Sequence, residues 1–153
     1  MDLHPDLTDL LAAFAAAGAE YLVVGGYAVA AHGRPRFTKD LDVWIGEDPA
    51  NLERVATALV QFGAPASAVE ELRRSGPEDI VWLGAAPVRV EIVRRLPGVQ
   101  FASAQTRRMS VAWGGVTAHV IGFDDLIASK TASGRGRDLA DVRALRRRRA
   151  PRP

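Results

Sequence analysis

The segment from Gly25 to Ile45, GGYAVAAHGRPRFTKDLDVWI, constrains the fold and chemistry of this chain more than any other part of it. It opens with the glycine pair Gly25-Gly26 and closes with a run, Thr38 to Ile45, that alternates polar and apolar residues. Successive side chains of a strand point to opposite faces, so Asp40 and Asp42 are predicted to share one face. Paired carboxylates beside a glycine turn that is open to phosphate indicate metal-assisted phosphoryl chemistry.

The length and composition suit a single domain of 1–150, followed by a disordered tail over 151–153. The 153 residues include no cysteine, which excludes disulfides and thiolate metal sites. No apolar run approaches the roughly 20 residues that a membrane span needs. The acidic start, MDLHPDLTDLL, has neither the basic region nor the apolar core of a signal peptide. We therefore expect a cytoplasmic protein without membrane contact.

Hydrophobic periodicity predicts an α+β fold in which one mixed β-sheet is flanked by α-helices. The predicted helices cover residues 7–17, 27–32, 48–62, 66–74 and 124–132, and a last helix begins at 138. The predicted strands cover residues 20–24, 38–45, 79–83, 88–93, 110–113 and 116–121. Residues 133–137 are predicted to form a flexible joint between the last two helices.

A third carboxylate is predicted to join the aspartates. In the alternating run Val88 to Val93, Glu91 lies on the polar side. Oxygen ligands suit Mg²⁺, so Asp40, Asp42 and Glu91 are candidate metal ligands. Thr38 falls on the same face as the aspartates, where its hydroxyl is able to contact a phosphate. The alternative interpretation makes these side chains ordinary solvent-facing residues of a strand.

The glycine pair has two interpretations as well. Gly25 and Gly26 let backbone N–H groups approach a phosphate, or they form a tight turn that only glycine fits. The pair matches neither the GxxxxGK[ST] nor the GxGxxG nucleotide pattern.

Two features near the C-terminus carry charge. Lys130 lies in an otherwise apolar helix, where it either neutralises a transferred phosphoryl group or complements the helix dipole. Asp138 is predicted to cap the last helix, and Asp141 to pair with Arg137. An arginine cluster follows at Arg143, Arg146 to Arg149 and Arg152. It indicates either nucleic-acid contact or a solvated helix end.

Together these motifs resemble the DNA polymerase β-like nucleotidyltransferase superfamily, whose pattern is a GG or GS pair, a short helix and then DxD. More specifically, one set of residues resembles the motif of the minimal bacterial nucleotidyltransferases related to AbiEii toxins. These residues are Gly25-Gly26, His32-Gly33, Arg36, Thr38 and Asp40-Leu41-Asp42. Asp124 to Lys130 and Gly134 to Asp141 are similar to the lysine and RDxxD elements of that group. The resemblance covers roughly residues 20 to 145.

The resemblance implies an Mg²⁺-dependent (or Mn²⁺-dependent) enzyme that moves a nucleoside monophosphate from a triphosphate to an acceptor hydroxyl. The acceptor would be an RNA end, such as that of a tRNA, or a protein side chain, in a toxin–antitoxin pair. The implied catalytic residues are Asp40, Asp42, Glu91 and Lys130. The implied nucleotide-binding residues are Gly25, Gly26, Thr38, Lys130 and Asp138. Aspartate is more usual than glutamate at the third acidic position, which favours an alternative: a non-catalytic, antitoxin-like partner-binding protein of the same fold.

Overall fold

The computed structural model of the chain describes residues 3–35, 37–85 and 88–149. Its strands are β1 (Tyr21–Val24), β2 (Asp40–Ile45), β3 (Val81–Ala85), β4 (Val88–Val93), β5 (Met109–Trp113) and β6 (Val116–Val120). Its helices are α1 (Pro5–Ala17), α2 (Gly25–Ala31), α3 (Pro49–Phe62), α4 (Ala66–Arg74), α5 (Phe101–Thr106), α6 (Phe123–Ser133) and α7 (Gly136–Arg149). Arg36, which belongs to the family motif, and the tail predicted at 151–153 lie outside the described residues.

The strands form one mixed sheet in the order β3-β4-β2-β1-β6-β5. β1 pairs antiparallel with β2 and parallel with β6, and β2 pairs parallel with β4. The outer pairs, β3 with β4 and β5 with β6, are antiparallel. The predicted α+β class with a helix-flanked mixed sheet is therefore confirmed.

Helix α1 contacts α3, and α3 contacts α4. All three helices pack against the sheet. Their apolar side chains, among them Leu10, Phe14 and Leu59, are fully buried in the core. The predicted start of α3 is confirmed, because the Asp48 side chain accepts a hydrogen bond of 3.0 Å from the backbone N–H of Asn51. Within the described residues, no helix is long and apolar enough to cross a membrane.

Several local features differ from the sequence-based expectation, and among them β2 begins at Asp40, so Thr38 precedes the strand that was predicted to include it. Helix α5 was not predicted, since six residues are too few for a helical period to be recognised. Its Phe101 ring packs edge-on against Trp44, with the ring centroids 5.1 Å apart, which covers the far end of the face that carries Asp40 and Asp42. Helix α2 begins at Gly25 and α7 at Gly136, two residues earlier than predicted in each case. Asp138 therefore lies inside the first turn of α7 and does not cap it.

One buried polar residue joins the start of α3 to the sheet. The Asn51 amide donates hydrogen bonds to the backbone carbonyls of Glu20, at 3.0 Å, and Gly46, at 2.7 Å. Its carbonyl oxygen accepts a bond of 2.7 Å from the backbone N–H of Glu20. Glu20 precedes β1 and Gly46 follows β2, so one side chain ties together the ends of the two central strands.

We expect Asn51→Ala to lower the free energy of unfolding by about 2–4 kcal/mol, because it leaves buried backbone groups without partners. Urea denaturation followed by circular dichroism measures this loss. Gln61→Ala, at an exposed position of the same helix, is the control and should change stability by less than about 0.5 kcal/mol. Equal effects of the two substitutions would contradict the role assigned to Asn51.

Candidate active site

The turn between β1 and α2 brings the glycine pair against two predicted site residues. Gly25 has a φ of +66°, a conformation that favours glycine. A Cβ atom at Gly25 would lie 1.9 Å from Oδ2 of Asp42, and one at Gly26 would lie 2.6 Å from Oγ1 of Thr38. Gly25 therefore forms the tight turn that one of the two interpretations predicted. Because neither glycine has a side chain, Asp42 and Thr38 also lie directly against the backbone of this turn.

The strand pairing sorts the neighbouring side chains as the alternation predicted. Leu41, Val43 and Ile45 are fully buried, whereas Asp40 and Asp42 are half-buried on the opposite face of β2. The parallel register sets Asp42 opposite Glu91 of β4 and Asp40 opposite Arg89. Two of the three predicted carboxylates thus become neighbours.

Asp42 is an unusual carboxyl group. Burial, a hydrogen bond with Glu91 and the charges of Glu91 and Asp40 raise its pKa from 3.8 to about 8, while the charge of Lys130 opposes the rise. Two crowded carboxyl groups favour retention of a proton between them. A bound cation would relieve the same crowding, so the pair is electrostatically suited to hold one.

Asp40, unlike Asp42, forms an ion pair with an arginine. Its two oxygens accept hydrogen bonds from the Arg89 guanidinium, from Nε at 3.0 Å and from a terminal nitrogen at 2.8 Å. Within residues 3–35, 37–85 and 88–149, no three or more His, Cys, Asp or Glu side chains are arranged to hold a metal ion. The carboxylate of Asp40 is paired with Arg89, and the trio of metal ligands stays a prediction. The hard oxygens of Asp42 and Glu91 still match the chemistry of Mg²⁺ or Mn²⁺.

Thr38 has a buried hydroxyl on the same side of the site. Its Oγ1 finds no hydrogen-bond partner among the residues that the structure describes. A buried hydroxyl without a partner is energetically unfavourable, and an acceptor oxygen of a ligand would remove that cost. This fits the predicted phosphate contact.

Lys130 sits in a buried network of charges. Its Nζ donates to Asp138 and to Asp141, at 3.0 Å in each case. Arg34 also lies 3.4 Å from Asp141, so Asp141 has two partners that the sequence did not predict. Burial raises the pKa of Asp138, but hydrogen bonds from Ser133 and Lys130 outweigh it and hold the pKa below its usual value. Lys130 is thereby held in place and is more than a dipole-complementing surface lysine.

All eight predicted site residues line one cavity of about 540 Å³, which we call the main cavity. The eight are Gly25, Gly26, Thr38, Asp40, Asp42, Glu91, Lys130 and Asp138. Phe37, Lys39, Arg135 and Arg137 also line it. Phe37 is 83% exposed and was assigned no role from the sequence, where the available signal was an aromatic residue three positions before Asp40.

A smaller cavity of about 240 Å³, the side cavity, adjoins the main cavity, and the two share Gly25, Asp42, Glu91, Lys130, Arg135 and Asp138. Its remaining wall includes the aliphatic residues Ile80, Val93, Leu96, Pro97 and Leu126. Sequence reasoning missed this cavity because its wall comes from separate segments without a shared motif.

The arginine cluster lies elsewhere. Arg143 and Arg146 to Arg149 are exposed on α7, and the Arg149 guanidinium stacks 3.9 Å from the ring centre of Phe123. Arg152 lies outside the described residues. Among the described residues that line the two cavities, none belongs to this cluster.

Solved structures resemble this arrangement of strands and helices. A candidate nucleotidyltransferase from Thermotoga maritima, TM1012, superposes with a TM-score of 0.63 over 93% of this chain and 91% of that chain, at 14% sequence identity. This chain has a nucleotidyltransferase-like fold. JHP933 from Helicobacter pylori is a more distant match, with a TM-score of 0.43 and 17% identity over 95% of this chain and 67% of that chain. No protein-family model and no curated protein matches the sequence.

We expect Gly25→Ala to be more destabilising than Gly18→Ala, although both glycines have similar positive φ values, +66° and +69°. A Cβ at Gly18 has open space, so that substitution costs only the left-handed conformation, about 1–2 kcal/mol. A Cβ at Gly25 also displaces Asp42, which adds about 1–3 kcal/mol. Urea denaturation of both variants measures the difference, and equal losses would contradict the close approach of Asp42.

The raised pKa of Asp42 predicts a pH-dependent stability of the metal-free protein. Because the folded pKa is about 8 and the ordinary value is 3.8, the stabilising effect of protonated Asp42 is fully present below about pH 4 and is lost as pH rises towards 8. Asp42→Asn lacks this loss. We expect it to exceed the wild type in free energy of unfolding by about 1–3 kcal/mol at pH 8.

Denaturant unfolding between pH 4 and pH 9 in the presence of EDTA measures this effect. Asp9→Asn, at an exposed position of α1, is the control and should retain the wild-type pH profile. The same profile in Asp42→Asn and wild type would show that Asp42 ionises normally.

Proposed function

We propose that the chain is an Mg²⁺-dependent nucleotidyltransferase that moves a nucleoside monophosphate from a nucleoside triphosphate to an acceptor hydroxyl. One observation carries the proposal. Eight residues chosen from nucleotidyltransferase motifs, in segments as distant as Gly25 and Asp138, line a single cavity of a nucleotidyltransferase-like fold. A set of unrelated surface residues has no reason to converge in this way.

The triphosphate would lie in the main cavity. Gly25 and Gly26 expose backbone there, and the unpartnered Thr38 hydroxyl is available to a phosphate oxygen. Lys39, Arg135 and Arg137 supply positive charge to the same cavity. Lys130, held by its two aspartates, acts on the charge of Asp42 and would face the reacting phosphate. Anchoring by two carboxylates fixes its charge before the substrate arrives, which is the preorganisation that electrostatic catalysis needs.

In the proposed reaction the acceptor oxygen attacks the α-phosphorus. The new P–O bond forms as the bond to pyrophosphate breaks, and the hydroxyl proton passes to a carboxylate of the Asp42–Glu91 pair. Asp42 and Glu91 would hold Mg²⁺ or Mn²⁺, joined by Asp40 once Arg89 has left it. When bound, such an ion polarises the phosphoryl oxygens and neutralises their charge.

We propose that the acceptor reaches these carboxylates from the side cavity. Asp42 and Glu91 line this cavity together with several aliphatic side chains. We propose an RNA end, such as that of a tRNA, or a hydroxyl of a protein side chain as the acceptor. A role in a toxin–antitoxin pair rests on the motif resemblance alone.

A non-catalytic, partner-binding protein of the same fold is the second candidate. The pairing of Asp40 with Arg89 favours it, because a permanent ion pair there would keep Asp40 from metal. This candidate predicts no metal-dependent triphosphate binding. Calorimetry with ATP, GTP, CTP and UTP, each with and without Mg²⁺, separates the two.

We expect the double variant Asp40→Ala/Asp42→Ala to lose transfer of label from an α-³²P-labelled triphosphate to a cell lysate while remaining folded. Removal of two oxygen donors takes away the site for the cation and its charge neutralisation. The expected loss is at least about 10²-fold, as for other electrostatic catalytic groups. Circular dichroism checks the fold, and Asp9→Asn serves as the active control.

Transfer that persists in the double variant would contradict the mechanism. Protease or nuclease treatment of the labelled product then distinguishes a protein acceptor from an RNA acceptor.

A further inference from the structure

Arg89 makes a two-pronged contact with a residue that the proposed reaction needs. It lies on β4 directly opposite Asp40 of β2, and its guanidinium hydrogen-bonds both carboxylate oxygens. Such a pairing satisfies the two oxygens that a divalent cation would use. Arg89 and a metal ion therefore compete for the same carboxylate.

The other contact of Arg89 is aromatic. Its guanidinium carbon lies 4.6 Å from the ring centre of Trp82, on the edge strand β3. The Arg89 side chain is 41% exposed. Ion pairs with this much exposure contribute little to the stability of a protein. The contact is thus specific in geometry and weak enough to be displaced by a more strongly bound cation.

The charges around Arg89 indicate a role for an arginine at this position of β4. Asp40, Asp42 and Glu91 project from one sheet face, and all three act to raise the pKa of Arg89, chiefly through its hydrogen bond with Asp40. Lys130 is engaged by Asp138 and Asp141. Arg89 is therefore a cation that offsets the strand carboxylates when no metal ion does so.

We propose that Arg89 is the resident counter-ion of Asp40 and that it makes metal binding depend on the triphosphate. A metal ion alone has to break the Arg89–Asp40 pair and leaves two cations close together. A triphosphate bound with the metal brings anionic oxygens into the main cavity, which Asp40 lines, and their negative charge offsets the two cations. The two ligands consequently bind cooperatively, and the coupling is the same whichever is added first.

This inference rests on the proposed function, and Mn²⁺ binding tests it without an activity assay. Calorimetric titration with Mn²⁺ alone should give a dissociation constant about two- to fivefold lower for Arg89→Ala than for wild type, because the competing cation is gone. The factor by which ATP, GTP, CTP or UTP tightens Mn²⁺ binding should fall correspondingly in Arg89→Ala.

Two variants control for charge. Arg95→Ala also removes one positive charge, but Arg95 pairs with Glu47 and Glu78 and not with a predicted site carboxylate. It should leave Mn²⁺ affinity unchanged. Arg89→Lys keeps the charge but cannot make the two-pronged, stacked contact, so an intermediate affinity is expected.

Tryptophan emission provides a second measurement. Addition of Mg²⁺ with the triphosphate should change the emission of Trp82 as the guanidinium leaves its ring. This change should be absent in Arg89→Ala and in Trp82→Phe. Mg²⁺ is used here because Mn²⁺ is paramagnetic and quenches emission directly.

Two outcomes would overturn the inference. If Arg89→Ala matches wild type in both Mn²⁺ affinity and nucleotide coupling, Arg89 is a structural residue and the inference alone fails. If wild type shows no metal-dependent binding of any triphosphate, the proposed function fails together with the inference.

Discussion

The parallel pairing of β2 with β4 determines the chemistry of this protein more than any other interaction. It sets Asp42 beside Glu91 and Asp40 beside Arg89, so one register creates both a crowded pair of acids and a compensated ion pair. A shift by one residue would turn every one of these side chains to the other face of the sheet. Since Leu41, Val43 and Ile45 are buried on that other face, core packing and site geometry require the same register.

The glycine turn acts in concert with this register. Asp42 lies against the backbone of Gly25, so burial of its carboxyl group comes from the turn as well as from the sheet. Lys130 opposes the resulting rise in pKa from across the site. The acidity of one side chain is thus set by three elements that are distant in sequence. A site of this kind stores unfavourable electrostatic energy in the metal-free state, which the binding of a cation can release.

Much of this arrangement was predictable because it depends on local patterns. Alternation over Thr38 to Ile45 and Val88 to Val93 predicted which face carries the acids, and Asp48 with its following proline predicted where α3 begins. A local pattern, however, predicts the structure of one helix or strand and not its contacts with others. Arg89 was not recognised as the partner of Asp40, because that pairing depends on a register between strands 49 residues apart. The hydrogen bonds of Asn51 were missed because they also join distant segments, and the partners of Lys130 because they depend on how α7 packs against α6.

The network around Lys130 has a consequence for the way the protein acquires its site during synthesis. The glycine turn and both aspartates belong to the first third of the chain, whereas Asp138 and Asp141 belong to α7, the last helix described. A nascent chain that has emerged only as far as α6 has Lys130 but not the two carboxylates that hold it. The positive charge facing Asp42 is therefore fixed in place only once α7 has docked.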